Sequence, residues 1–150
     1  MSAAHKLSLS VQYAANAKNL PTRNQFRRWA KAALQRDAAM TLRIVDEVEG
    51  RELNRNYRGK DYATNVLTFV YDDAAPLSGD VVICAPIVEK EAREQHKELH
   101  AHYAHLAIHA LLHLQGYDHE NEADAAVMEA RETAIMLKLG YAEPYQVVTL

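Results

Sequence analysis

A chain of 150 residues that is 49% hydrophobic and 25% charged has the length of one domain and enough apolar material for a core. That composition excludes a disordered polymer, a fibre and a disulfide-stapled miniprotein. The net charge of −3 hides an uneven distribution: residues 1–60 carry 12 Lys and Arg against 5 Asp and Glu, and residues 61–150 carry 5 against 15, so the N-terminal part offers either a polyanion-binding surface or ordinary solvated helix faces.

"LSLSVQY" (7–13) alternates Leu7, Leu9, Val11 and Tyr13 with polar residues and predicts a half-buried strand. Thr22, with Gln25 three residues later, is a capping-box pattern that opens a helix. Its stripe of Phe26, Trp29, Ala30, Ala33 and Leu34 leaves Arg23, Arg27, Arg28 and Lys31 around the rest. "MTLRIVD" (40–46) predicts a second strand, and "EGRELNRNYRGKD" a short polar helix ending near Gly59. "TNVLTFVYD" (64–72) is a third strand by its β-branched and aromatic content. Residues 72–79 read as a loop and "DVVICA" as a fourth strand. Helices are expected over 86–98, 101–115 and 122–139. The last has Asn121 as N-cap, a stripe of Val127, Ala130, Ala134 and Leu137, and Gly140 as stop.

Strands and helices interleave unevenly, with three helices gathered at the end. The expected architecture is a single α+β domain spanning 1–150, a mixed four-stranded sheet packed with about five helices. Cys84 has no partner for an internal disulfide, and its apolar setting in "DVVIC" predicts an inert thiol. The opening "MSAAHKLSLSVQYAA" lacks the apolar run of a secretion signal, and no segment is long and apolar enough to span a bilayer. The expected location is the cytoplasm.

The chemistry-bearing stretch is "HALLHLQGYDH" (109–119). It lies in a predicted helix that is apolar nearly all round, where an unsatisfied imidazole costs on the order of 1–3 kcal/mol. His109 and His113, four residues apart, project from one helix face and can share a metal. Gly116 can end the helix in a left-handed conformation and turn the chain back to His119. The pattern H-x-x-x-H-x-x-G-x-x-H is the ligand spacing of metzincin zinc proteases. Three imidazoles with an open fourth position describe a catalytic zinc site; nickel, copper and iron also accept such ligands. Ala110, however, stands where zinc proteases of the H-E-x-x-H type place their glutamate base.

This stretch resembles the signature H-G-x-L-H-L-x-G-Y-D-H of the YbeY family, zinc-dependent endoribonucleases of bacterial ribosomal RNA maturation, with Ala110 replacing glycine. "LNRNYRGKDYATNVLTF" (53–69) resembles a second family block, with Ala63 where proline is common and Thr68 for serine. "SGDVVIC" (78–84) resembles a third, with Ser78 for leucine. The similarity covers about residues 40–140. It implies a zincin-like fold, one zinc ion held by His109, His113 and His119, and cleavage of single-stranded RNA. It further implies maturation of the small-subunit (16S) ribosomal RNA 3′ end, ribosome quality control, and ribosomal proteins as partners. The family's functional arginine falls on Arg58. No membrane or DNA partner is expected.

Physical chemistry agrees with this assignment. A cleaving phosphodiester gathers negative charge on its non-bridging oxygens, which a Lewis-acidic ion and a bidentate guanidinium both stabilise. Read without the resemblance, Arg58 is a solvated arginine at a helix end. Arg23, Arg27, Arg28, Lys31, Arg51, Arg55 and Lys60 are candidates to follow an RNA backbone. His102 and His105 are read as structural or as partners of a ligand, Asp118 as a turn or ligand-orienting residue, Tyr117 as packing with a bonded hydroxyl, and Asn65 as a brace for the turn near Arg58. Two alternatives remain: a zinc metallopeptidase whose base comes from Glu120 or Glu122, and a ribosome assembly factor with a structural, four-liganded zinc.

Overall fold

The alternating N-terminal segment forms β1 (Leu7–Ala14), which pairs in parallel with β2 (Ala38–Val45) in the computed structural model, whose described residues are 5–145. The first four residues of the opening stretch lie outside that range. Between these strands runs α1 (Arg23–Ala33). Thr22 Oγ1 accepts from Gln25 N at 3.1 Å and Gln25 Oε1 accepts from Thr22 N at 2.8 Å, the reciprocal box read from sequence.

After β2 come α2 (Glu47–Arg58), β3 (Val66–Asp72), β4 (Leu77–Cys84), α3 (Ala85–Glu94), α4 (Leu99–Leu114) and α5 (Glu122–Lys138). The sheet order is β1-β2-β4-β3, with β2 and β4 parallel and β3 antiparallel to β4. The expected single-domain α+β fold with a mixed four-stranded sheet and five helices is the one observed. Among the described residues no helix is long and apolar enough to cross a membrane.

One sheet face carries the main core. Leu42, Ile44, Val81 and Ile83 pack there with Phe26 and Trp29 of α1 and with Ile108, Leu111 and Leu112 of α4. The other face has a smaller cluster of Val45, Leu67, Val82 and Cys84 under α2 and α3. Helix α4 is thus enclosed, as its all-round apolarity required. Burial pushes the Cys84 thiol up to about 11, which keeps it protonated and inert.

The strand β3 is left at the sheet edge, and it matters most for the site. It is held by β4 through Gly79, where a Cβ would stand 2.6 Å from the Phe69 carbonyl oxygen. Only glycine allows that approach.

Two expectations need correction. Residues 77–79 belong to β4 and not to the loop, because Leu77 is buried and register-paired with Ala38. In α5 the stripe Val127, Ala130, Ala134 and Leu137 faces solvent, while Met128, Glu132, Ile135 and Met136 are buried. A carboxylate in the middle of the inward face disguised its apolar pattern. What satisfies that carboxylate is part of the site.

Candidate functional site

α4 delivers His109 and His113 one turn apart at the helix's C-terminal end, with their ring planes parallel to within 2°. Gly116 then adopts φ +106°, the conformation that lets the chain reverse. His119 returns over the pair. Ring centroids are 5.4 Å apart for His109–His119, 5.9 Å for His113–His119 and 6.5 Å for His109–His113. Three imidazoles on one zinc, with nitrogens at about 2.0–2.1 Å, would have centroids about 5 Å apart. The rings surround one space but stand wider than a closed cage. Among the described residues no group of three His, Cys, Asp or Glu is drawn in to metal-binding distance.

The hydrogen bonds of two rings decide which nitrogen is presented. His109 Nδ1 lies 2.5 Å from Glu132 Oε1, and His113 Nδ1 lies 3.1 Å from the Tyr117 carbonyl oxygen. A carboxylate and a carbonyl only accept, so both rings donate from Nδ1 and keep Nε2 as a bare lone pair. His119 is more exposed; its Nδ1 is 3.8 Å from Asp118 Oδ1, beyond hydrogen-bond reach. Asp118 Oδ1 instead accepts from the His119 backbone N–H at 2.7 Å and holds the turn. In donor type the three residues suit a zinc ion, and in His109 and His113 the Nδ1 bonds leave Nε2 to face one.

Glu132, fully buried on α5, was not read from the sequence. It also accepts from His105 Nε2 at 3.1 Å and from the Tyr145 hydroxyl. Burial pushes its carboxyl up, but the bonds from His105, His109 and Tyr145 outweigh that and bring it down to about 2. It is therefore an ionised acceptor at the back of His109. The available signal was one acidic residue interrupting an otherwise apolar helix face.

The histidines open onto a cleft of about 530 Å³ that runs along the outer edge of β3. Its lining includes His109, His113 and His119, residues 66–69 of β3, Tyr57 and Arg58 from the end of α2, and Asp118 and Glu120. Arg58 precedes Gly59, whose φ of +70° ends α2 at this point. Ala110 is wholly buried in the core and brings no proton acceptor to the cleft. Of the two acids considered for a peptidase, Glu120 lines the cleft and Glu122, in the first turn of α5, does not.

Other residues fall elsewhere. His102 Nε2 bonds Glu91 Oε1 at 2.9 Å, away from the three rings. Tyr117 packs with its hydroxyl bonded to the Gln35 side chain. Asn65 does not brace the turn near Arg58: its Nδ2 donates to Glu91 and ties the start of β3 to α3. Among the basic residues, Arg23 stacks 5.0 Å over the Tyr13 ring, and Arg51 and Arg55 share Asp61.

A sheet edge beside three histidines, two on a helix buried in an α+β core and one on the chain reversal that follows it, defines a candidate hydrolase site. The family model described as Endoribonuclease YbeY matches residues 10–140. Curated proteins named Endoribonuclease YbeY are similar along most of their lengths. That of Nitrosomonas europaea is 58% identical over 140 residues, covering 93% of this chain and 85% of the relative. That of Thiobacillus denitrificans is 58% identical over 144 residues, covering 95% and 98%. The solution structure of TM1509 from Thermotoga maritima is 25% identical, with a TM-score of 0.54 over 91% of this chain and 99% of that one. The chain belongs to the YbeY endoribonuclease family.

Proposed function

We propose that this protein is a zinc-dependent endoribonuclease that cuts single-stranded RNA, with His109, His113 and His119 as metal ligands and Arg58 as the phosphate clamp. One observation carries the reading: the three rings open onto the same cleft as Arg58. Family membership supports the RNA substrate. It also supports a cytoplasmic role in maturing the 16S ribosomal RNA 3′ end and in ribosome quality control, in contact with ribosomal proteins.

Bound there, zinc supplies Lewis acidity toward a non-bridging phosphate oxygen. The chain's own residues do the rest. Glu132 and the Tyr117 carbonyl hold the Nδ1 protons of His109 and His113, so that the Nε2 lone pairs are presented without a search over tautomers. Arg58, on the cleft wall, offers two parallel guanidinium donors to the phosphate as charge builds on it. β3 forms one wall of the cleft.

A peptidase reading keeps one supporting feature, Glu120 on the cleft wall. Offering the protein a labelled single-stranded RNA beside a casein-type peptide separates the two. The expected result is RNA cleavage that His113→Ala abolishes, with the peptide intact. Peptide cleavage that His113→Ala abolishes, with the RNA intact, would overturn the proposal.

A further inference from the structure

Tyr57 is 67% exposed, yet its ring is not loose. It sits against Phe69 of β3, ring centroids 5.1 Å apart at an interplanar angle of 67°. An edge-to-face pair of this kind fixes one ring against the other while leaving a face of the exposed ring open. Both residues line the cleft that holds the histidines, and Tyr57 adjoins Arg58 in the chain. Phe69 and Leu67 point to the α2 side of the sheet, whereas α4 and its histidines pack against the other side. The cleft therefore bends around the β3 edge, with imidazoles on one side and an aromatic face with a guanidinium on the other.

Resting on the endoribonuclease reading, we propose that Tyr57, backed by Phe69, is a stacking platform for one unpaired base of the RNA strand whose phosphate lies between Arg58 and the histidines. The neighbouring charge favours a nucleic acid as occupant: Arg58 lines the cleft, and Lys60 follows two residues on. Asp118 and Glu120 also line the cleft, and they flank His119 in the chain, beside the place where a cation is to be held. A ring already immobilised by Phe69 loses little freedom on stacking, and the π-face accepts any base. A base inside a duplex has its faces covered by neighbours and cannot use the platform. The site thus selects single strands without reading their sequence.

The test uses the full-length protein as purified and a short 2′-O-methyl RNA, single-stranded or annealed to its complement, with binding followed by fluorescence anisotropy. Tyr57→Ala is expected to weaken single-strand binding about 10- to 100-fold and to leave duplex binding unchanged. Tyr57→Trp is expected to keep the affinity, and its fluorescence to be quenched by the single strand. The chain's one natural tryptophan, Trp29, is 1% exposed in the core and stays silent. Equal loss on both RNAs, or no loss with Tyr57→Ala and no quenching of Tyr57→Trp while the wild type binds RNA, would overturn the platform alone. Failure of the wild type to bind any RNA would overturn the endoribonuclease reading with it, and quenching by an unfolded peptide instead would give the platform to a protein chain.

Discussion

Glu132 shows how much one side chain can decide. Buried with three donors around its carboxylate, it is the group that leaves His109 only Nε2 to present to the cleft. Removing its charge while keeping its shape should loosen the metal without touching a ligand. Glu132→Gln is expected to lower zinc affinity about 10- to 100-fold, measured by competition with a chromophoric chelator. Thermal unfolding of the metal-stripped variant checks that the core still forms. Unaltered affinity in a folded variant would show that His109 needs no carboxylate behind it.

Among the secondary-structure elements, β3 is one of the sheet's two edge strands, with β1 at the other edge, and it is the one that lines the cleft. It is paired only with β4, and its closest approach runs past Gly79. Gly79→Ala puts a methyl group against the Phe69 carbonyl oxygen and within 3.2 Å of Leu114 Cδ2. A loss of about 1–3 kcal/mol in a denaturant titration is expected, with RNA cleavage reduced because β3 lines the cleft. A wild-type midpoint with full cleavage would show that the strand pair yields freely.

The elements also mark what a sequence can disclose. Period-two strands, the Thr22–Gln25 box and the glycine-ended α2 were legible because each depends on residues a few positions apart. The histidine spacing was legible for the same reason: one helix turn plus one reversal at Gly116. The α5 face was misread because its inward side is organised around Glu132, whose partners lie 13 to 27 residues away. No local pattern announces such a contact. Arg58 and the histidines likewise come from α2 and α4, and only the folded sheet edge puts them on one cleft.

Over the whole molecule, the uneven charge seen in the sequence is partly spent internally. Arg43 is paired with Glu49 and Arg51 with Asp61, while Arg58 is the basic residue that reaches the cleft lining. Two buried or half-buried carboxylates contribute to the pH dependence of the fold on the acid side. For Glu132 and Glu91 alike, burial raises the carboxyl, but hydrogen bonds overcome it: from His105, His109 and Tyr145 in the first, from His102 and Asn65 in the second. A carboxylate whose folded pKa is depressed adds stability that is complete above the ordinary value of 4.5 and disappears as the pH falls through the folded value, about 2 for Glu132. Unfolding midpoints should therefore decline from about pH 4.5 toward pH 2, and Glu91→Gln should flatten that decline. A variant curve parallel to the wild type would remove Glu91 from the account.

The central claim is that the three imidazoles hold one ion and that Arg58 acts on the substrate and not on the ion. Metal analysis of purified wild type, His113→Ala and Arg58→Ala, each assayed on the same single-stranded RNA, tests it most directly. The account predicts about one zinc per chain in the wild type and in Arg58→Ala, zinc lost from His113→Ala, and cleavage lost from both variants. Zinc retained in His113→Ala, or RNA cleavage surviving both substitutions, would contradict it.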